Sequence, residues 1–234
     1  MFDLNFLWFK DFAGLLFPRS CHACGKPLNS QEEILCASCL YRLPKTNFHT
    51  HKDNPVREIF GGIIPLHAAT SLLFFNQGGM TQTLVHKLKY DGKKEIGTYL
   101  GKLLGNQLME SELFKDADLL LPVPLHPAKL KKRGYNQSEI IALGMETVMK
   151  AKLYADILSR KIYTSSQTRK SRYERWENVK GIFDAKHPEL LVNKHIVLVD
   201  DVITTGATLQ ACAGTLLAVP GIKISVVSLA YSQG

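Results

Sequence analysis

Two neighbouring acids, Asp200 and Asp201, close an apolar run and stand directly before a loop of small hydroxyl residues. The segment reads His195-Ile-Val-Leu-Val-Asp-Asp-Val-Ile-Thr-Thr-Gly-Ala-Thr208. Ile196 to Val199 is expected to form a buried parallel strand, and Ala207 to Val219 a helix. The first turn of a helix leaves N–H groups unpaired and carries partial positive charge, so it draws a phosphate. Thr204, Thr205 and Thr208 add hydroxyl donors, Gly206 lets the backbone approach closely, and Val202, Ile203 and Ala207 complete the loop. The two carboxylates can accept hydrogen bonds from ribose hydroxyls or hold a divalent metal. Strand, acids, loop and helix start together describe a sugar-phosphate site. A plain buried strand with a polar turn would require none of these residue types in this order.

Cysteines supply a second chemistry. Cys21-x2-Cys24 and Cys36-x2-Cys39 are separated by eleven residues. Each pair is expected on a tight turn, and two such turns can meet in tetrahedral sulfur ligation. In a reducing cytoplasm metal is favoured over two disulfides. Four thiolates complete a closed site, so the zinc is read as structural and His22 as exposed and uninvolved. Cys212 falls on the helix after the loop and is read as a small core residue.

Three further segments carry candidate contacts. Leu121-Pro-Val-Pro-Leu-His-Pro127 ends a short strand and is placed at the same sheet edge as the Thr/Gly loop, with Leu125 and His126 facing the crevice. The alternative is a proline-stiffened connection. Lys129-Leu-Lys-Lys-Arg-Gly-Tyr-Asn-Gln137 is read as a basic loop in which Lys132, Arg133 and Tyr135 bind, while Asn136 and Gln137 cap the next helix or meet a polar ligand. A solvated charged face is the plain alternative. Between Arg160 and Lys180 seven cations face two acids. Gln167, Arg169, Arg172, Arg175 and Asn178 are interleaved there with Tyr173 and Trp176. That mixture suits phosphate contacts with base stacking, and equally a lid over a phosphosugar.

The elements that must position these residues follow from periodicity. Strands are expected at Ala68 to Phe75, Asp118 to Val123, Ile157 to Tyr163 and Ile222 to Ala230, the last closing the sheet. Helices are expected at Met80 to Tyr90, from about Lys94 to Glu110, and at Asn136 to Lys150. Residues 44 to 60 read as a polar connection. Alternating strands and helices indicate an α/β fold with a mostly parallel, doubly wound sheet. The division is residues 1–55, an N-terminal helix with the zinc module, and 56–234, the α/β domain. With 234 residues, 45% hydrophobic and 21% charged, the chain has the composition of a globular protein, and a formal charge of +8 favours anionic partners. Met1 to Phe17 is apolar but broken by Asp3, Lys10 and Asp11, so it reads as an amphipathic helix rather than a signal peptide or membrane span. The expected setting is cytoplasmic.

The Asp200 segment resembles the phosphoribosyl pyrophosphate (PRPP) signature of type I phosphoribosyltransferases. Taken with Leu15-Leu-Phe-Pro18, Leu88-Lys-Tyr90, Pro122-Val-Pro-Leu-His-Pro127, Arg133-Gly-Tyr-Asn-Gln137, Gln167-Thr168, Arg175 and Asn178-Val-x-Gly-x-Phe183, the chain resembles the ComF (competence protein F, also GntX-like) family. The resemblance implies a zinc-bearing N-terminal module fused to a type I phosphoribosyltransferase-like fold that binds PRPP with Mg²⁺. Asp200 and Asp201 would hold the ribose hydroxyls and the 204–208 loop the 5′-phosphate, with Leu125, His126 and Arg133 near the pyrophosphate. It further implies a role in natural transformation, where imported single-stranded DNA is handled in the cytoplasm beside a helicase partner. The alternative is an active transferase moving a pentosyl group from PRPP in nucleotide or related metabolism.

Overall fold

The computed structural model describes residues 19–160 and 182–232. Helices α1 (Ala37–Tyr41) and α2 (Pro55–Glu58) precede strand β1 (Ala68–Phe74), which leads into α3 (Met80–Tyr90) and α4 (Lys94–Met109). Next come β2 (Leu119–Pro122), α5 (Pro127–Arg133), α6 (Gln137–Glu146) and the short β3 (Lys152–Leu153). Strands β4 (Leu158–Arg160), β5 (Phe183–Ala185) and β6 (His195–Ile203) follow, then α7 (Ala207–Leu216) and β7 (Lys223–Tyr231). The helix expected over Met1 to Phe17 lies outside the described residues, as do Gln167, Arg169, Arg172, Arg175 and Asn178.

Five strands form one sheet in the order β1-β7-β6-β2-β3, with every pairing parallel. Burial on both faces explains the unbroken apolar runs of β2 and β6. Successive residues of β6 serve opposite faces. Val197 and Val199 join Leu84, Leu88, Leu100 and Ile141 beneath α3, α4 and α6, whereas Ile196 and Leu198 join Leu209, Cys212 and Leu216 of α7. The result is a mostly parallel sheet with helices on both faces, as the sequence indicates. Cys212 is fully buried.

Several elements differ from expectation. The segment read as a basic loop is helix α5, entered at Pro127 and stopped by Gly134 at φ +77°. Helix α6 ends at Glu146, a turn short of Lys150. β4 belongs to a separate antiparallel ribbon with β5. β7 lies inside the sheet, between β1 and β6, rather than closing it. Residues 44 to 60 hold helix α2, and Val56 and Phe60 there are core residues at 0% and 1% exposure.

Candidate functional site

Parallel pairing of β2 with β6 matches Pro122 to Val199. The chain therefore leaves both strands at the same sheet edge, where open α/β sheets receive ligands. β6 continues in register through the acids, with Asp200 opposite Ser228 and Val202 opposite Ala230. The sheet itself thus fixes the two carboxylates.

Their surroundings differ. Asp200 Oδ1 accepts the Asp201 N–H at 2.8 Å and the Ser138 hydroxyl at 3.1 Å. Burial and the neighbouring Asp201 carboxylate push the Asp200 carboxyl up to about 7. Asp201 Oδ1 lies 3.0 Å from Lys89 Nζ, and the two side chains are only 15% and 19% exposed. Sequence reasoning quoted Lys89 within the Leu88-Lys-Tyr90 motif without giving it a role, and passed over Ser138. The partners of both are distant in sequence, so neither pairing is marked locally.

The loop after β6 turns at Gly206, whose φ is +70°. A Cβ there would sit 2.7 Å from Ile59 Cγ2 and 3.1 Å from the Phe60 ring, so glycine alone fits. Helix α7 then starts with no side-chain cap among the described residues, leaving its first N–H groups open. Thr204, Thr205, Ala207 and Thr208 are exposed. With Asp200, Val202, Ile203, Gly206 and Leu209 they line a cavity of 50 Å³, room for a few water-sized atoms. Larger clefts of 440 and 620 Å³ lie elsewhere, one beside Arg57 and Leu66 and one beside Lys115 and Lys152, and neither is lined by Asp200 or Asp201.

On the β2 side, Leu125 and His126 are half-buried. His126 caps α5, its Nδ1 accepting the Ala128 N–H at 3.2 Å. Lys132 is exposed. Arg133 Nη1 donates to Gln137 Oε1 at 2.7 Å, and its guanidinium lies 5.3 Å over the Tyr90 ring. Asn136 caps α6, accepting the Ser138 N–H at 3.1 Å while donating to the Val123 carbonyl at 3.0 Å. Tyr135 and Gln137 are buried. The Tyr135 hydroxyl donates to the Leu88 carbonyl, and the Lys94 ammonium lies 4.9 Å from its ring centre. Tyr135 and Arg133 therefore join the segment after β2 to the end of α3.

The four cysteine sulfurs lie within 4.8 Å of one another, with Cys24 and Cys36 Sγ 3.8 Å apart. A tetrahedron of ~2.3 Å zinc–sulfur bonds sets sulfurs about 3.8 Å apart, so the cluster fits zinc. The first pair lies on a turn, while Cys36 caps α1 and Cys39 sits within it, so the second pair uses a helix start. Cys21 Sγ accepts the Cys36 N–H at 3.3 Å. Burial opposes ionisation of Cys21, but N–H groups from Cys36, Cys24 and Ala23 overcome it and hold the thiol near 6. Cys39 is pushed up by burial and by the surrounding sulfurs. Four such thiols cannot all ionise unless a cation stands among them. His22 lies outside the cluster but is half-buried, 3.8 Å from Glu95, rather than exposed.

No family model matches the chain. It is 29% identical over 137 residues to the DNA utilization protein YhgH of Escherichia coli K12, covering 57% of this chain and 60% of that protein. It is 28% identical to competence protein F of Haemophilus influenzae, covering 63% and 66%, and 25% identical to ComFC of Bacillus subtilis, covering 84% and 77%. Its relatives are ComF-family proteins. The match thus spans about 60% of the length of the YhgH proteins. Among solved structures, the glutamine PRPP amidotransferase from B. subtilis is 18% identical at a TM-score of 0.44, covering 62% of this chain and 30% of that one. The ComF likeness stands on the sequence matches and the parallel sheet on the strand pairings above. Among the described residues no helix is long and apolar enough to cross a membrane.

Proposed function

We propose that this chain binds a ribose phosphate, PRPP or a close relative, at the C-terminal edge of β6 and β2. In this reading it acts in DNA uptake, handling imported single strands. One observation carries it: the sheet-fixed acids of β6 run through the Gly206 turn directly into the uncapped start of α7. The first N–H groups of α7 and the hydroxyls of Thr204, Thr205 and Thr208 take the 5′-phosphate. Asp200 and Asp201 accept from the ribose hydroxyls. Leu125, His126 and Arg133 lie toward the pyrophosphate. Hard carboxylate oxygens suit Mg²⁺, which would neutralise pyrophosphate charge and would be held by Asp200 and Asp201 together with the ligand. Zinc in the four-cysteine cluster would fix the N-terminal segment.

The DNA side of the reading draws on the names of the relatives, DNA utilization protein and competence protein, and on the formal charge of +8. Single-stranded DNA and a helicase are the expected partners, with Arg169, Arg172 and Arg175 as DNA contacts.

Calorimetric titration with PRPP and Mg²⁺ tests the site. Wild type should bind, and Asp200→Asn/Asp201→Asn should weaken binding at least about tenfold. Equal affinities would remove the acids from the site. Pyrophosphate release in the presence of one acceptor would make the protein a transferase. A salt-dependent affinity for single-stranded DNA, with a slope reduced by Arg172→Ala, tests the other half.

A further inference from the structure

Lys89 occupies the last turn of α3, where a lysine ordinarily extends into water and complements the helix dipole. Here the side chain is 19% exposed and its ammonium meets Asp201 Oδ1 at 3.0 Å. Both chain neighbours of Lys89 are gripped by the segment after β2. The Leu88 carbonyl accepts the Tyr135 hydroxyl, and the Tyr90 ring lies under the Arg133 guanidinium at 5.3 Å. The Lys94 ammonium meets the Tyr135 ring from the next helix. A surface ion pair has no such scaffold and contributes little. This one is built in.

Two adjacent carboxylates repel an incoming phosphate ester, so a positive charge must stand beside them. We propose that Lys89 is the resident counter-ion of the acid pair: its ammonium neutralises Asp201 as long as no divalent cation is bound there, so that a ribose monophosphate enters without metal. The inference rests on the ribose-phosphate reading of the site. Lys89 is accordingly a positioning residue that acts on the ligand through Asp201. Metal is then required by a pyrophosphate arm and not by the sugar phosphate. Charge at this point matters more than shape, so arginine substitutes for it.

Ribose 5-phosphate is the probe. It is titrated into wild type, Lys89→Met and Lys89→Arg in buffer stripped of free divalent ions over a chelating resin, with retained zinc checked by metal analysis. The titrations are then repeated with Mn²⁺. Wild type should bind without metal, and Lys89→Met should weaken metal-free binding at least about tenfold, the effect of one unit charge at short range in a partly desolvated site. Mn²⁺ should bring Lys89→Met back to within about threefold of wild type, and Lys89→Arg should stay within about threefold throughout. If the methionine variant unfolds, Lys89→Gln takes its place. Wild-type affinity in the methionine variant overturns the proposal. A loss that Mn²⁺ does not restore overturns it too, since Lys89 then touches the phosphate directly. Wild-type binding only with metal defeats the counter-ion role and leaves the site reading standing. No binding under any condition defeats both.

Discussion

Asp200 and Asp201 are neighbours in sequence and opposites in circumstance. Asp201 shares the parity of Val197 and Val199 on β6 and so meets Lys89 of α3, whereas Asp200 is held by Ser138 from the start of α6. The acids, threonines and Gly206 were legible because their types and order are themselves unusual. Lys89 stood out only as part of the Leu88-Lys-Tyr90 motif, and its pairing was not legible because Asp201 lies far along the chain. The burial of Tyr135 against α3 was hidden for a related reason, since a tyrosine amid cations carries no local sign of its distant partner Leu88. Tyr135→Phe leaves the buried Leu88 carbonyl without its partner, so stability should fall by about 1–2 kcal/mol in chemical denaturation. An unchanged midpoint would show the hydroxyl to be idle.

At the scale of elements, α4 and α6 meet through glycine. A Cβ on Gly101 would lie 2.1 Å from the Ile141 carbonyl oxygen, and one on Gly144 would lie 2.1 Å from that of Thr98. Backbone on both sides leaves nothing to yield. Gly101→Ala or Gly144→Ala should each cost about 3 kcal/mol, the upper range for overpacking, read as a lowered denaturation midpoint. A loss below about 0.5 kcal/mol would mean the helices separate freely. Because α6 carries Ser138, the same variants should loosen Asp200. Strands and long helices were readable from apolar spacing, but α5 was not. Seven residues, none of them buried, give no stripe, although Pro127 at its first position and Gly134 after its last are start and stop signals. The β4–β5 ribbon was unreadable because nothing within β4 names its partner.

Across the whole molecule, one packed layer links the cysteine cluster to the candidate site. Cys21, Leu35, Cys39 and Leu43 belong to the same apolar cluster as Leu73, Leu84 and Leu88, and Lys87 Nζ donates to the His22 carbonyl at 2.9 Å. Chelating the zinc proposed for this cluster should therefore lower a single melting transition by roughly 10 °C rather than release a separate N-terminal unit. Two resolved transitions would contradict that coupling. Acid acts through His195, which is pushed down to about 4 by burial, then by Lys223 and His67. Its Nε2 meets the Ser225 hydroxyl at 2.8 Å, and its Nδ1 is buried without a hydrogen-bond partner among the described residues. An unfolded histidine gains its proton near 6.5, so between 6.5 and about 4 the unfolded chain holds a proton the folded one refuses. Stability should fall as pH drops through that window, and the drop in melting temperature should be smaller in His195→Gln. Parallel pH profiles for the two proteins would assign the acid sensitivity elsewhere.

The central place of β7 bears on how the molecule is made. Residues 223–231 emerge from the ribosome after every other strand described, yet they fill the slot between β1 and β6. Until they arrive, two long apolar strands present open edges to the cell, the geometry that invites aggregation. Nascent chains halted before Lys223 should accumulate with chaperones or in inclusion bodies, and release of the last strand should be the step that makes the protein soluble.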